Sequence, residues 1–182
     1  MSTPNESSSA GITLRAYVRD IPDFPAPGIV FRDITPLLLN AQALDAAVSR
    51  LSRYAKDLDV ELVVAAEARG FILGGALARS LKAGFVPARK RGKLPSETIS
   101  AEYALEYGVD ALEMHADAFA GGARVLIHDD LLATGGTASA LAELVSKLGG
   151  KVVACAFLVE LESFSGRERL SGYPVHSLIQ YR

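Results

Sequence analysis

The stretch Val125-Leu126-Ile127-His128-Asp129-Asp130-Leu131-Leu132-Ala133-Thr134-Gly135-Gly136-Thr137 constrains the fold more than any other part of the chain. Its first four residues, mostly apolar, predict a strand buried among other strands; two adjacent carboxylates, a short loop and a Gly-Gly-Thr turn then break the pattern. Leu141, Ala142, Val145 and Leu148 recur at three- and four-residue spacing, which predicts a helix over 138–148 stopped by Gly149-Gly150. Residues 152–159 predict another buried strand. Strand, loop, helix and strand make one βαβ unit, which implies a parallel sheet. Ligands of such sheets gather beyond the carboxyl ends of the strands, where Asp129 and Asp130 lie.

The loop after the acids has the makings of a phosphate cradle. Two glycines let backbone N–H groups turn inward, Thr134 and Thr137 add hydroxyls, and a helix N-terminus offers unpaired donors. No lysine follows the glycines, which disfavours a nucleoside triphosphatase, and no Gly-x-Gly-x-x-Gly follows a strand, which disfavours a dinucleotide site. An acidic pair can hydrogen-bond vicinal hydroxyls, so two acids beside a phosphate cradle suit a ribose 5-phosphate.

This stretch resembles the phosphoribosyl pyrophosphate motif of the type I phosphoribosyltransferases, and Asp-Asp-Leu-Leu-Ala-Thr-Gly-Gly-Thr is similar to the form found in the adenine-specific branch. The resemblance implies an α/β fold, a mainly parallel central sheet flanked by helices, with an N-terminal hood and a mobile loop. It assigns Asp129, Asp130, Ala133, Thr134, Gly135, Gly136 and Thr137 to ribose and 5-phosphate.

Length and composition bound the rest. A chain of 182 residues, 49% hydrophobic, can bury one sizeable core, so residues 12–182 are expected to form a single domain. A net charge of −2 argues against a nucleic-acid footprint. The single cysteine, Cys155, sits in an apolar strand pattern and suits a reducing compartment. No basic start with an apolar core marks a secretory signal, and no apolar run reaches the roughly 18–20 residues of a membrane span, so a cytoplasmic protein is expected. His115, His128 and His176 are scattered, with no zinc-ligand spacing; His128 reads first as a core or interface histidine.

Residues 1–11, rich in serine, are expected to be a disordered tail. A short helix over 13–20 gives way to a proline-rich stretch that must run extended or turning. On composition this stretch is a surface connection. Its sequence, Pro-Asp-Phe-Pro-Ala-Pro-Gly-Ile-Val-Phe-Arg-Asp-Ile-Thr-Pro, resembles the family's hood, over about 12–39, where main-chain groups read the base; Val30 and Arg32 would supply those contacts and Phe31 the stacking ring, with Leu131 closing the other face. Asn40 is placed to cap a helix to about residue 57, with Leu44, Ala47, Val48, Leu51, Ala55 and Leu58 on one face. A strand over 61–66 leads into Glu67-Ala68-Arg69-Gly70-Phe71 and a helix over 72–82. Arg69 is placed either to hold a diphosphate or to pair with Glu67.

A short strand over 85–88 precedes Arg89-Lys90-Arg91-Gly92-Lys93, which on charge alone is a solvated face, and a long connection whose alternation suggests a hairpin arm standing away from the core. In the family these are the basic segment and the mobile loop, about 91–108. The resemblance thus assigns Glu67, Ala68, Arg69, Arg89 and Lys93 to the diphosphate, and counts Glu106, Tyr107, Arg69 and Lys93 as catalytic. Glu106 would either transfer a purine proton or orient the base. Strands over 110–118 and 175–181 and a short helix over 166–170 complete the expectation. The implied reaction moves phosphoribose from 5-phospho-α-D-ribose 1-diphosphate to adenine, giving AMP and diphosphate in purine salvage. The implied cofactor is Mg²⁺, carried by the substrate rather than by protein ligands, and the implied assembly is a homodimer, with no nucleic-acid or membrane partner. Transfer to xanthine or guanine, or a non-catalytic sensor of the same diphosphate, are the alternatives.

Overall fold

In the computed structural model the strand that carries the acids is longer than its apolar run. It spans Arg124–Leu132, so Asp129, Asp130 and Leu131 belong to the strand and not to the loop after it. The structure describes residues 11–105 and 108–182. Chain contacts divide them after Arg50 into two compact units.

In the first unit, the expected helix over 13–20 is only a 3-10 turn, Leu14–Tyr17, followed by strand β1, Arg19–Pro22. This strand pairs antiparallel with β2, Val30–Asp33. Asp33 organises the join to helix α1, Thr35–Leu39: it accepts from the Thr35 amide at 2.9 Å and hydroxyl at 2.5 Å, and from Arg19 at 2.6 Å. The Thr35 hydroxyl and Arg19 draw its carboxyl down to about 2. Helix α2, Ala41–Ala55, starts as expected, with the Asn40 side chain accepting from the Ala43 amide at 2.9 Å.

The second unit holds a seven-stranded sheet. Its strands are β3 (Leu62–Ala66), β4 (Gly84–Lys90), β5 (Thr98–Leu105), β6 (Gly108–His115), β7 (Arg124–Leu132), β8 (Lys151–Leu161) and β9 (Val175–Tyr181), in the order β5-β6-β4-β3-β7-β8-β9. From β4 to β9 neighbouring strands are parallel. The expected arm is not a projection: β5 and β6 extend the sheet antiparallel from β4, Arg89 opposite Glu113 and Lys90 opposite Leu112, with Ala101, Leu112 and Met114 buried.

Alternate residues of the central strands face opposite layers. Val64, Val125, Ile127, Cys155 and Phe157 share a core with Leu141, Leu144 and Val145 of helix α4, Gly136–Lys147. Val63, Leu126, Ala154 and Ala156 share another with Leu77 and Ala78 of helix α3, Arg69–Leu81, and with Leu51 and Ala55 at the end of α2. Burial of aliphatic side chains on both faces, worth roughly 1.5–3 kcal/mol each, makes these strands read as continuous apolar runs.

From β3 the chain crosses through α3 to β4 on one side; from β7 it crosses through α4 to β8 on the other. The strand order therefore reverses between β3 and β7. This is where doubly wound sheets open a crevice at their carboxyl ends.

Candidate active site

Two helix N-termini meet at that reversal. Helix α3 begins at Arg69, three residues earlier than its hydrophobic spacing suggests, and Gly70 lets it approach β7 closely: a Cβ there would stand 2.7 Å from Asp129 Oδ1. Helix α4 begins after Gly135, whose φ of 77° is in the left-handed region that favours glycine. No side chain caps either helix. First-turn N–H groups of α4 have no intrahelical partner, and the positive end of the helix dipole favours an anion there.

A cavity of about 190 Å³ lies at this place, lined by Arg69, Asp129, Asp130, Leu131, the whole of Ala133–Thr137, and by Leu132 and Ala138. Nine residues assigned from the sequence thus come together. Asp130 is buried, with Oδ2 3.0 Å from Arg69 Nε, while the Arg69 side chain keeps 40% of its exposure. The alternative pairing of Arg69 with Glu67 is overturned. Glu67 instead accepts from Arg89 Nε and from the Lys90 amide, both at 2.8 Å. Burial raises the Glu67 carboxyl, but these donors outweigh it and the net shift is downward. Arg89 also donates to the Lys93 carbonyl at 2.9 Å, which folds the basic segment back over the end of β4. The peptide between Glu67 and Ala68 is cis.

Asp129 accepts from the Asp130 amide at 2.9 Å. Burial, followed by the charge of Asp130, raises its carboxyl well above the ordinary range. Burial also raises Asp130, against the opposing pull of Arg69. Two carboxyl groups so placed present several acceptor oxygens side by side, which is what a pair of neighbouring hydroxyls can use.

His128 lies in the core, fully buried between Ala65 and Ala156 on the flanking strands. Its Nδ1 is 2.9 Å from the Ala156 carbonyl, which makes Nδ1 the protonated nitrogen. Burial draws its pKa down to about 4. The role of a core histidine, weighed first from the sequence, is the one it has.

Val30, Phe31 and Arg32 belong to the other unit. Val30 pairs with Pro22 across the hairpin, Phe31 makes an edge contact with Phe24 at 5.2 Å, and Arg32 forms an ion pair with Asp20. Glu106 and Tyr107 lie outside the described residues.

Sequence reasoning missed Tyr103. Its hydroxyl donates to Asp110 at 3.3 Å, and Lys90 Nζ stands 3.0 Å from the same carboxylate. Burial and the Asp110 charge push the phenol up to about 12, with Asp129 adding a smaller electrostatic push and a Thr137 hydrogen bond opposing it. In the sequence it stands only in the alternation of the arm and at the head of the Tyr-x-Leu-Glu-Tyr-Gly stretch that is similar to the family's mobile loop, with no role of its own. Gly70 was also passed over, as one more glycine in a loop.

The phosphoribosyl transferase domain family matches residues 34–178. The chain is 58% identical over 170 residues to an adenine phosphoribosyltransferase of Thermotoga maritima, covering 93% of this chain and 98% of that protein. It superimposes with a TM-score of 0.90 on the crystal structure of adenine phosphoribosyltransferase from Thermoanaerobacter pseudethanolicus, at 51% identity, covering 92% of this chain and 98% of that one. The Giardia lamblia enzyme complexed with 9-deazaadenine superimposes with a TM-score of 0.88 at 38% identity, covering 93% and 96% of the two chains.

Proposed function

The chain belongs to the phosphoribosyl transferase domain family, and from that premise we propose how its residues carry out the reaction. It transfers phosphoribose from 5-phospho-α-D-ribose 1-diphosphate to adenine, giving AMP and diphosphate, a step of purine salvage. The observation that carries the residue assignment is the cavity between β3 and β7, where one arginine, two acids and a helix-capping glycine loop face the same space.

The loop Ala133–Thr137 takes the 5-phosphate on backbone N–H groups of α4 and the hydroxyls of Thr134 and Thr137. Asp129 and Asp130 clasp the ribose hydroxyls. This fixes the sugar as the bond from C1 to diphosphate lengthens and positive charge grows on the ring, as in other glycosyl transfers. Arg69 meets the departing diphosphate, because it is partly exposed and its guanidinium stays charged. Arg89 and Lys93 add charge from the basic segment, with Glu67 and the Ala68 backbone holding that side of the site. Leu131 borders the base.

Two adjacent carboxylates fit a hard cation that keeps its waters and rides on substrate oxygens. Among the described residues no cluster of three His, Cys, Asp or Glu forms a cage for it. Magnesium, when bound, neutralises charge on the diphosphate. Val30 and Arg32 are assigned to reading the adenine edge by main-chain groups, Phe31 to stacking on it, and Glu106 with Tyr107 to handling or orienting the base. The implied homodimer is tested by light scattering. Cys155 is buried, and burial pushes its thiol up to about 12, so it is inert and takes no part in the reaction.

The decisive assay follows diphosphate release with adenine, hypoxanthine and guanine in competition. Adenine presents an N6 donor and an N1 acceptor, which hypoxanthine reverses, and fixed main-chain groups cannot exchange roles. Each buried mismatch costs about 1–3 kcal/mol, so adenine is preferred by a factor on the order of a thousand. Comparable use of hypoxanthine would overturn this reading of the base.

A further inference from the structure

We infer that Gly166 and the ion pair Glu160–Arg167 are positioning residues for the phosphate loop, although none of the three lines the cavity. Glu160, near the end of β8, is 3% exposed. Arg167 grips it with both arms of its guanidinium, Nε to Oε1 at 2.6 Å and NH2 to Oε2 at 2.7 Å, and donates from NH1 to the Val175 carbonyl at 3.0 Å, where β9 starts. This fork ties the short helix α5, Gly166–Arg169, to two strands of the sheet. Leu170, 1% exposed, anchors its far end in the core of the α4 face.

The first residue of α5 is the wall on which the loop leans. A Cβ on Gly166 would overlap the Ala133 carbonyl oxygen and stand 2.9 Å from Leu132 Cδ1. The contact is reciprocal, since a Cβ on Gly135 would stand 2.6 Å from the Gly166 carbonyl. The residues on both sides of Thr134 therefore rest against one glycine, and Arg167 and Glu160 fix where that glycine is. The inference rests on the reading that Ala133–Thr137 holds the 5-phosphate.

The test compares E160Q, R167K and G166A with the unchanged chain. Readouts are KM for each substrate, the melting temperature, and calorimetric affinities for ribose 5-phosphate and for inorganic diphosphate with magnesium. A displaced loop weakens ribose 5-phosphate and raises KM for the phosphoribosyl donor about tenfold, the worth of roughly one good hydrogen bond. Diphosphate affinity and KM for adenine stay within about twofold, because their groups lie elsewhere. R167K, which keeps the charge but loses the fork, falls between E160Q and the unchanged chain. Folded E160Q and R167K that bind ribose 5-phosphate normally, or that weaken both ligands equally, overturn the inference even if G166A fails to fold. T137A separates the two levels of argument. Undiminished ribose 5-phosphate binding by T137A defeats the loop assignment and the inference with it; weakened binding by T137A alone defeats only the positioning role.

Discussion

Replacing His128 with valine removes an imidazole that is fully shielded from solvent and whose Nε2 has no hydrogen-bond partner among the described residues. The folded protein holds this group near 4, whereas the unfolded chain titrates it near 6.5. Above pH 6.5 both states are neutral and the residue adds no pH dependence. As pH falls from 6.5 towards 4, the unfolded chain takes up a proton that the folded protein refuses, and stability is lost. The gap of roughly 2.5 units corresponds to about 3 kcal/mol, of which about 2–3 kcal/mol is already expressed at pH 4.5. The acids beside it work the other way: raised in the fold, they favour the folded state at low pH and lose that contribution as pH rises through their folded values. Subtracting variant from unchanged chain cancels the acids and isolates the histidine. At pH 7.5 the lost hydrogen bond to Ala156 and the relieved Nε2 roughly offset, so H128V unfolds within about 1 kcal/mol of the parent. At pH 4.5 H128V should be the more stable by about 2–3 kcal/mol in urea titrations at fixed protein concentration. Equal pH dependence in the two proteins would refute the argument.

D130N should lower kcat/KM by a hundredfold or more, on the scale of a misplaced reacting centre, and move the melting temperature little, because Arg69 stays partly solvated when its partner is neutralised; normal turnover by the folded variant removes the ribose assignment. G70A drives a methyl group at the Asp129 carboxylate, so KM for the phosphoribosyl donor should rise about tenfold or more while the adenine value holds; equal kinetics would mean that α3 simply moves away. Trypsin cutting at the exposed Arg91 and Lys93 should slow when donor and magnesium are added, and unchanged cutting argues against closure of that segment over the site. R32A should keep the preference for adenine even if turnover drops, since main-chain groups do the reading; a switch towards hypoxanthine in competition assays would assign the reading to the side chain.

Features governed by nearby residues were legible in the sequence. Asn40 caps α2 through an amide three residues on, and β9 occupies the very residues, Val175–Tyr181, that its pattern indicated. What escaped was decided by distant partners. Two aspartates continue β7 because its pairing with β8 runs on through Asp129 opposite Phe157 and Leu131 opposite Val159, and Arg69 at the start of α3 answers Asp130; apolar periodicity reports neither contact. Glu67 is claimed by Arg89, 22 residues away, rather than by its near neighbour. The hairpin of β5 and β6 has the alternation of a freestanding arm, yet its pairing with β4 makes it the margin of the main sheet. Gly70 and Gly166 look like ordinary loop and helix-start glycines until the backbone that each one touches is known.

The seam between β3 and β7 also has a history in time. At its base Glu61 accepts from the Arg124 amide, two residues 63 apart in sequence, and no part of the pairing can form until the chain between them exists. On a ribosome that adds roughly 5–20 residues per second, the strand leading to Arg69 emerges seconds before the strand bearing Asp129 and Asp130. During that interval β3 has only β4 on one side; its other edge, Val63 and Val64 included, is an open row of amides and carbonyls. Closing so long a loop is the slow kind of step in folding. The crevice that gathers the substrate thus lies along an edge that stays open while the residues between β4 and β7 are being made, which makes it a place where a chaperone or a mispaired strand would compete with β7.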